Sequence, residues 1–243
     1  MPASPESGHP ATIPDQSLAG LVWAFAFDAD GRAVSLPDEA VAARLADHDG
    51  WLWLHFNLTD HRAQDWIAHH APFCGPVRAA LIATDPRPTL LAHAGEIAGV
   101  VSDFKLELDA GRSSEIGRLR FAMSDRLIVS ARHHPLQTVE RVRTDLSNGK
   151  RLRAPAAFFE VLVDAFLDVA VENVETSSAE LDDIEERVIA GQRSAGEARI
   201  GSIRRASLRL HREIVPLRAV LRRVGYPSGL QGDAMALHAA VAA

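Results

Sequence analysis

The chain has 243 residues, 47% of them hydrophobic, and a formal net charge of −6. This length can hold one large domain or two small ones, and the apolar content suffices for a real core. The acidic balance argues against a general nucleic-acid binder, and the single cysteine, Cys74, excludes an internal disulfide. No stretch approaches the ~20 apolar residues of a membrane-spanning helix, so we expect the chain itself to be soluble.

Residues 1–18, rich in Pro, Ser and small residues, are predicted to be a flexible N-terminus. Residues 19–153 are predicted to form a domain of mixed strands and helices. The apolar run over 21–27 predicts a strand that ends in the turn Asp28-Ala29-Asp30-Gly31, and the aromatic run over 51–56 predicts a buried strand. The remaining patterns predict four helices, over 37–47, from Thr59 or Asp60 to about 70, over 76–83 and over 136–146. They also predict strands over 89–93, 97–106, 117–123 and 126–131. Hairpin turns are expected at 109–111 and 124–125. This order predicts an αβα-layered domain around a mixed, largely antiparallel sheet.

Residues 154–243 are predicted to be helical. Pro155 suits the start of a first helix whose apolar stripe continues to about Gly191, and Ser194 with Glu197 forms a capping box for a second. Because the link between them is short, the two helices are predicted to form an antiparallel hairpin. Asp233 caps a third helix, which we interpret as the start of a long stalk in a longer protein. The second helix carries a heptad seam, interrupted only at Ser207: Ile200, Ile203, Leu210, Ile214, Leu217, Leu221 and Val224.

The two helices of the predicted hairpin carry opposite charges. From Glu160 to Glu186 there are ten acidic residues and no Lys or Arg, whereas Arg187 to Arg223 contains ten arginines against two glutamates. This arrangement is typical of one arm of a larger assembly rather than of a self-contained enzyme. The alternative is that the arginines neutralise the acids within the hairpin, where the charges would select the register.

Two groups of side chains could bind a metal. The carboxylates of Asp182, Asp183, Glu185 and Glu186 could bind a hard divalent cation, with a solvated helix face as the alternative. His69, His70 and Cys74 could bind zinc, but a structural site requires four ligands, and a helix-terminal histidine pair is the alternative. His55 is expected in the core, and His133-His134 in a loop. Since no phosphate loop, dinucleotide fingerprint, HExxH motif or nucleophile elbow occurs, no catalytic or cofactor-binding residue is predicted.

The order of these elements resembles the CorA superfamily of divalent-metal channels and transporters, and within it the ZntB zinc transporters. The resemblance covers about residues 19–243. It is carried by the following segments: Leu208-Arg209-Leu210 and Pro216-Leu217-Arg218 in the arginine helix, Val163-Asp164 and Leu167-Asp168-Val169 in the acidic helix, Trp51–Asn57, Asp85-Pro86-Arg87-Pro88, and the strand pair 117–123 and 125–132.

The resemblance implies a cytoplasmic domain at the inner membrane that acts as scaffold and gate of a homopentameric funnel, with two transmembrane helices and a Gly-Met-Asn loop beyond Ala243. Zinc or another divalent cation would be the transported or regulatory ion, and no cofactor is required. We expect this chain alone to associate weakly. Two other hypotheses remain open. One is a soluble metal-dependent hydrolase using His55, His69, His133 or His134; the other is a helical adaptor that binds an acidic partner through Arg204, Arg205, Arg209 and Arg212.

Overall fold

The computed structural model describes residues 18–224 apart from positions 48, 86, 108–110 and 192–196; for residues 107, 111–114, 197–198 and 214–224 it describes the backbone alone. Several expectations lie outside these residues: the flexible N-terminus, the tip of the turn at 109–111, the cap at Ser194 and the stalk helix. The described part forms β1 Leu21–Phe27, β2 Ala33–Leu36, α1 Asp38–Ala46, β3 Trp51–Asn57, α2 His61–His69, α3 Gly75–Ile82, β4 Thr89–His93, β5 Glu96–Glu107, β6 Gly111–Met123, β7 Leu127–Arg132, α4 Gln137–Ser147, α5 Pro155–Ile189 and α6 Glu197–Val224.

The seven strands make one mixed sheet in the order β2-β1-β3-β7-β6-β5-β4. The β3–β7 pair is parallel, and the other neighbours run antiparallel. A parallel pair needs a crossover connection, which here consists of α2, α3 and the antiparallel strands β4 to β6. The prediction of a mixed, largely antiparallel sheet between helices is confirmed.

Helices cover both faces of the sheet. One core cluster joins Trp53, Leu119 and Phe121 to residues of α4 and α5. The other joins the alternate strand residues, such as Leu54 and Val129, to α1, α2 and α3. Because helices cover β3 on both faces of the sheet, all six residues from Trp51 to Phe56 are buried. This explains why the sequence of β3 is a nearly continuous apolar run.

Local sequence signals explain several element boundaries. At the end of β1, the Asp28 carboxylate accepts from the backbone N–H groups of Asp30 and Arg32, and Gly31 adopts a φ of 76° that favours glycine. Asp60, rather than Thr59, caps α2 by accepting from the Arg62 N–H at 2.9 Å. These turns set the chain direction before and after the buried strand β3.

The prediction for the helical part agrees with the structure up to Val224. Helix α5 has 35 residues and α6 has 28, and both match the predicted spans within a few residues. Within the part of the chain that the structure describes, no helix contains an apolar window suited to crossing a bilayer.

Candidate functional site

The hairpin of α5 and α6 is antiparallel. Arg199, near the start of α6, lies 4.0 Å from carboxylate oxygens of Glu180 and Asp183, near the end of α5. Leu210, farther along α6, borders the same cavity as Asn173, which comes earlier on α5. Later residues of α6 therefore meet earlier residues of α5, as the short link predicted.

A cavity of about 120 Å³ separates the two helices. Its wall is partly apolar and partly made of small polar residues: Phe104, Asn173, Val174, Ser177, Ser178, Leu181, Ile203, Ala206, Ser207 and Leu210. Protein interiors are normally filled to crystal-like density, so a gap of this size marks a loosely packed pair of helices.

The heptad seam of α6 is only partly buried. Ile203 is buried and Leu210 is half-buried, but Ile200 is 44% exposed. A buried seam is therefore not formed at Ile200, which lies in the first turn of α6, next to the link between the two helices. The four later seam positions have side chains outside the described part.

A polar cluster holds α6 against the sheet. The Glu213 carboxylate accepts from Ser102 Oγ at 2.6 Å and from Arg118 Nη2 at 2.9 Å. Arg118 Nη1 also donates to Ser102 Oγ at 3.3 Å. Ser102 and Arg118 are opposite each other in the β5–β6 register, so one carboxylate anchors α6 to two neighbouring strands. Since charge-assisted bonds are about twice as strong as neutral ones, this cluster is a principal anchor of α6.

The four carboxylates predicted as a metal site do not converge within one copy. Asp182, Glu185 and Glu186 are exposed, and Asp183 forms an ion pair with Arg187 at 2.8 Å. Across residues 18–224, as far as they are described, no group of three or more His, Cys, Asp or Glu side chains is placed to hold a metal. A metal site at these residues stays a prediction that would need ligands from another copy.

The second predicted metal group lies around the end of α2. The ring centroids of His69 and His70 are 6.4 Å apart, and His69 Nδ1 lies 2.9 Å from the carbonyl oxygen of Asp65, one turn earlier. Cys74 is half-buried, burial raises the pKa of its thiol, and its backbone N–H donates to the Glu96 carboxylate. This geometry fits a helix-terminal histidine pair, although zinc binding by these residues remains untested.

His55 is a core residue, as expected. Its Nδ1 lies 2.7 Å from Ser130 Oγ, which also accepts from Trp53 Nε1 at 2.7 Å, and its ring stacks on Trp23. Burial, and then the positive charge of Arg132, hold its pKa well below the usual value, so the imidazole is neutral. His133 and His134 are exposed in the loop after β7. Among the described residues, these histidines therefore form no converging set with His69.

Sequence reasoning missed Asp103, a buried titratable residue in β5. Its carboxylate accepts from the backbone N–H groups of Thr138 and Val139, at 3.0 and 3.2 Å, in the first turn of α4. It thereby satisfies donors that the residue preceding the helix, Leu136, cannot satisfy. Burial raises the pKa of this carboxyl to about 6. The available signal was an acidic residue within a mostly apolar predicted strand, next to Phe104.

Comparison with known proteins gives the family. The family model described as CorA-like Mg2+ transporter protein matches residues 48–237, which is most of the chain. The chain belongs to this family. Among curated relatives, the zinc transport protein ZntB of Yersinia pestis is 23% identical over 207 residues, covering 85% of this chain and 62% of the relative. The chain thus spans a little under two thirds of the length of such relatives.

Solved structures share the fold. The full-length CmaX protein superposes with a TM-score of 0.77 at 22% identity, covering 92% of this chain and 69% of CmaX. The ZntB cytoplasmic domain from Vibrio parahaemolyticus gives a TM-score of 0.67 at 13% identity, covering 91% of this chain and 88% of that domain. The fold assigned to this chain is therefore that of CorA and ZntB domains, a layered α/β domain followed by long helices.

Proposed function

We propose that this chain is the cytoplasmic part of a divalent-cation transporter and that zinc is the preferred cargo. The observation that carries the proposal is the family match over residues 48–237, supported by curated relatives that are named as zinc transport proteins. The chain spans 62% of such a relative, so the membrane-crossing helices would lie in the remaining length, beyond Ala243.

In this proposal the chain acts as scaffold and gate of a homopentameric funnel. Helix α6 would lead towards the stalk, and its position would affect the pore. The cavity between α6 and α5 supports a movable α6, and the bonds of Glu213 to the sheet would hold one of its positions. A ligand that binds one position of α6 better than another would shift the populations of the two states.

Asp182, Asp183, Glu185 and Glu186 are proposed to bind a regulatory divalent cation only when copies assemble. Within one copy they offer exposed carboxylates and no converging ligand set. Calorimetry with zinc and magnesium on the chain alone should therefore give weak binding. A variant with all four residues changed to Asn or Gln should bind still more weakly, whereas unchanged affinity would make these acids a solvated helix face.

The transport function is tested with the longer gene product, purified and reconstituted into liposomes. Zinc should enter these proteoliposomes, and the 243-residue chain mixed with the same liposomes should carry none, because no described helix can cross the bilayer. Full-length protein that moves no divalent cation would refute the proposal.

A further inference from the structure

One side of α5 carries acids that form no ion pair with any side chain that the structure describes. Asp164, Glu175, Asp182 and Glu186 are exposed. Their steps of eleven, seven and four residues keep them within roughly 40° of one direction on a helix of 3.6 residues per turn. The ion pairs of α5 inside the described structure involve other acids on this helix, such as Glu172 and Asp183. We define these four residues as the acidic row.

An exposed apolar stripe lies beside the acidic row. Leu167, Val171 and Val174 are 48%, 54% and 51% exposed, and Leu181 and Val188 continue the stripe towards the end of α5. These positions follow the three-and-four spacing of a coiled-coil seam. Aliphatic side chains at this spacing normally face another helix. Val174 and Leu181 border the cavity towards α6 of the same copy, whereas Leu167 and Val171 stay about half exposed in the described structure.

The outer face of α6 carries the complementary charge. Arg204, Arg205 and Arg212 are exposed, with Leu208, 48% exposed, between them. On a helix these positions point away from the face of Leu210 and Glu213, which contacts the rest of the domain. Of the arginines whose side chains the structure describes on α6, Arg199 reaches the acids of α5 within the same copy. We define Arg204, Arg205, Leu208 and Arg212 as the arginine face.

We propose that the acidic row and apolar stripe of α5 in one copy pack against the arginine face of α6 in a second copy of this chain. Acidic row against acidic row, or arginine face against arginine face, would repel, so unlike surfaces must meet. When only one such contact joins two copies, it is head to tail, and it closes into a ring when the rotation between copies allows it. This proposal rests on the proposed function, because it names the surfaces through which copies of the chain would meet in the assembly.

The two parts of this contact have different roles. Exposed ion pairs contribute only ~0–1 kcal/mol each, so the charges set orientation and register. The apolar stripe and Leu208 supply the surface removed from water. The association of one chain alone is therefore expected to be weak and to weaken further with added salt.

Sedimentation velocity of the 243-residue chain, up to millimolar concentration and at low salt, tests the contact. Reversing the charges of the acidic row (E175R/D182R/E186R) or of the arginine face (R204E/R205E/R212E) should weaken association at least about tenfold, since the contact between copies then brings like charges together. The variant with both sets reversed should recover association to within about threefold of wild type.

A matched control separates this contact from a general effect of charge. The variant E39R/D65R/D125R has the same change in net charge as the acidic-row variant, at exposed positions on α1, on α2 and in the β6–β7 turn, and it should associate like wild type. Circular dichroism verifies that each variant is folded. A wild-type chain that stays monomeric, or a doubly reversed variant no better than the singly reversed ones, overturns the proposal.

The result is independent of transport. Association is measured on the chain alone, so zinc flux without this contact would refute the contact and leave the proposed function standing. Association of the chain without zinc flux through the longer protein would refute the proposed function and leave the contact standing.

Discussion

Replacing Asp103 with asparagine should change how the stability of the domain depends on pH. The side chain is 1% exposed and accepts backbone N–H groups from the first turn of α4. Two effects oppose each other here: burial disfavours the charged carboxylate, whereas the N–H donors favour it. Burial dominates and raises the pKa from 3.8 to about 6.

The sign and magnitude of the change in stability with pH follow from this shift in the pKa of Asp103. The folded state holds the proton more tightly than the unfolded state, so the stabilisation is fully present below pH 3.8 and is lost as the pH rises through about 6. At 1.36 kcal/mol per pKa unit, acidification from about pH 7 to about pH 4.5 should stabilise wild type by about 2 kcal/mol relative to Asp103→Asn. His55 acts in the opposite direction, because burial lowers its pKa, but it is present in both proteins and cancels in the difference.

Urea unfolding of both proteins at a series of pH values measures this difference. An exposed control, Asp65→Asn, should give a nearly constant difference from wild type over the same range. If the difference for Asp103→Asn instead falls on acidification, the N–H donors of α4 keep the carboxylate ionised, and the account of this buried site is wrong.

Three further predictions concern stability, each measured by urea unfolding. Ile203→Ala should cost ~2–3 kcal/mol and Leu210→Ala about half of that, because the second side chain is half-buried; equal costs would contradict the packing of α6. Ser130→Ala should cost ~2–4 kcal/mol by leaving two buried ring nitrogens unpaired, so a change below ~1 kcal/mol would refute the network. A double-mutant cycle of Arg118→Gln and Glu213→Gln should give a coupling of ~1–2 kcal/mol, and no coupling would remove this anchor.

Local patterns predicted most of the fold. The aromatic run of β3 and the periodicity of α5 and α6 are strong signals because burial acts along the whole element. Strand β2 was missed because it has only four residues and lies at the edge of the sheet, where its side chains are partly exposed. A short edge strand leaves almost no alternation in the sequence.

Features that depend on tertiary contacts could not be predicted from the sequence. The Asp103 carboxylate accepts hydrogen bonds from backbone N–H groups 35 and 36 residues later, and nothing in the local sequence pattern indicates that pairing. The charge split between the helices was evident, but the rotation of the hairpin decides which charges meet. That rotation pairs Arg199 with α5 and leaves Arg205 and Arg212 exposed.

Zinc flux through the longer protein proposed above tests the central claim most directly. Proteoliposomes that contain this protein and a zinc-sensitive dye should take up zinc. Neutralising Asp182, Asp183, Glu185 and Glu186 should alter the rate without changing which ion is preferred, since these acids are proposed to act on gating and local cation concentration rather than in the pore. Liposomes that take up no more zinc, magnesium or cobalt with the protein than without it would contradict the account.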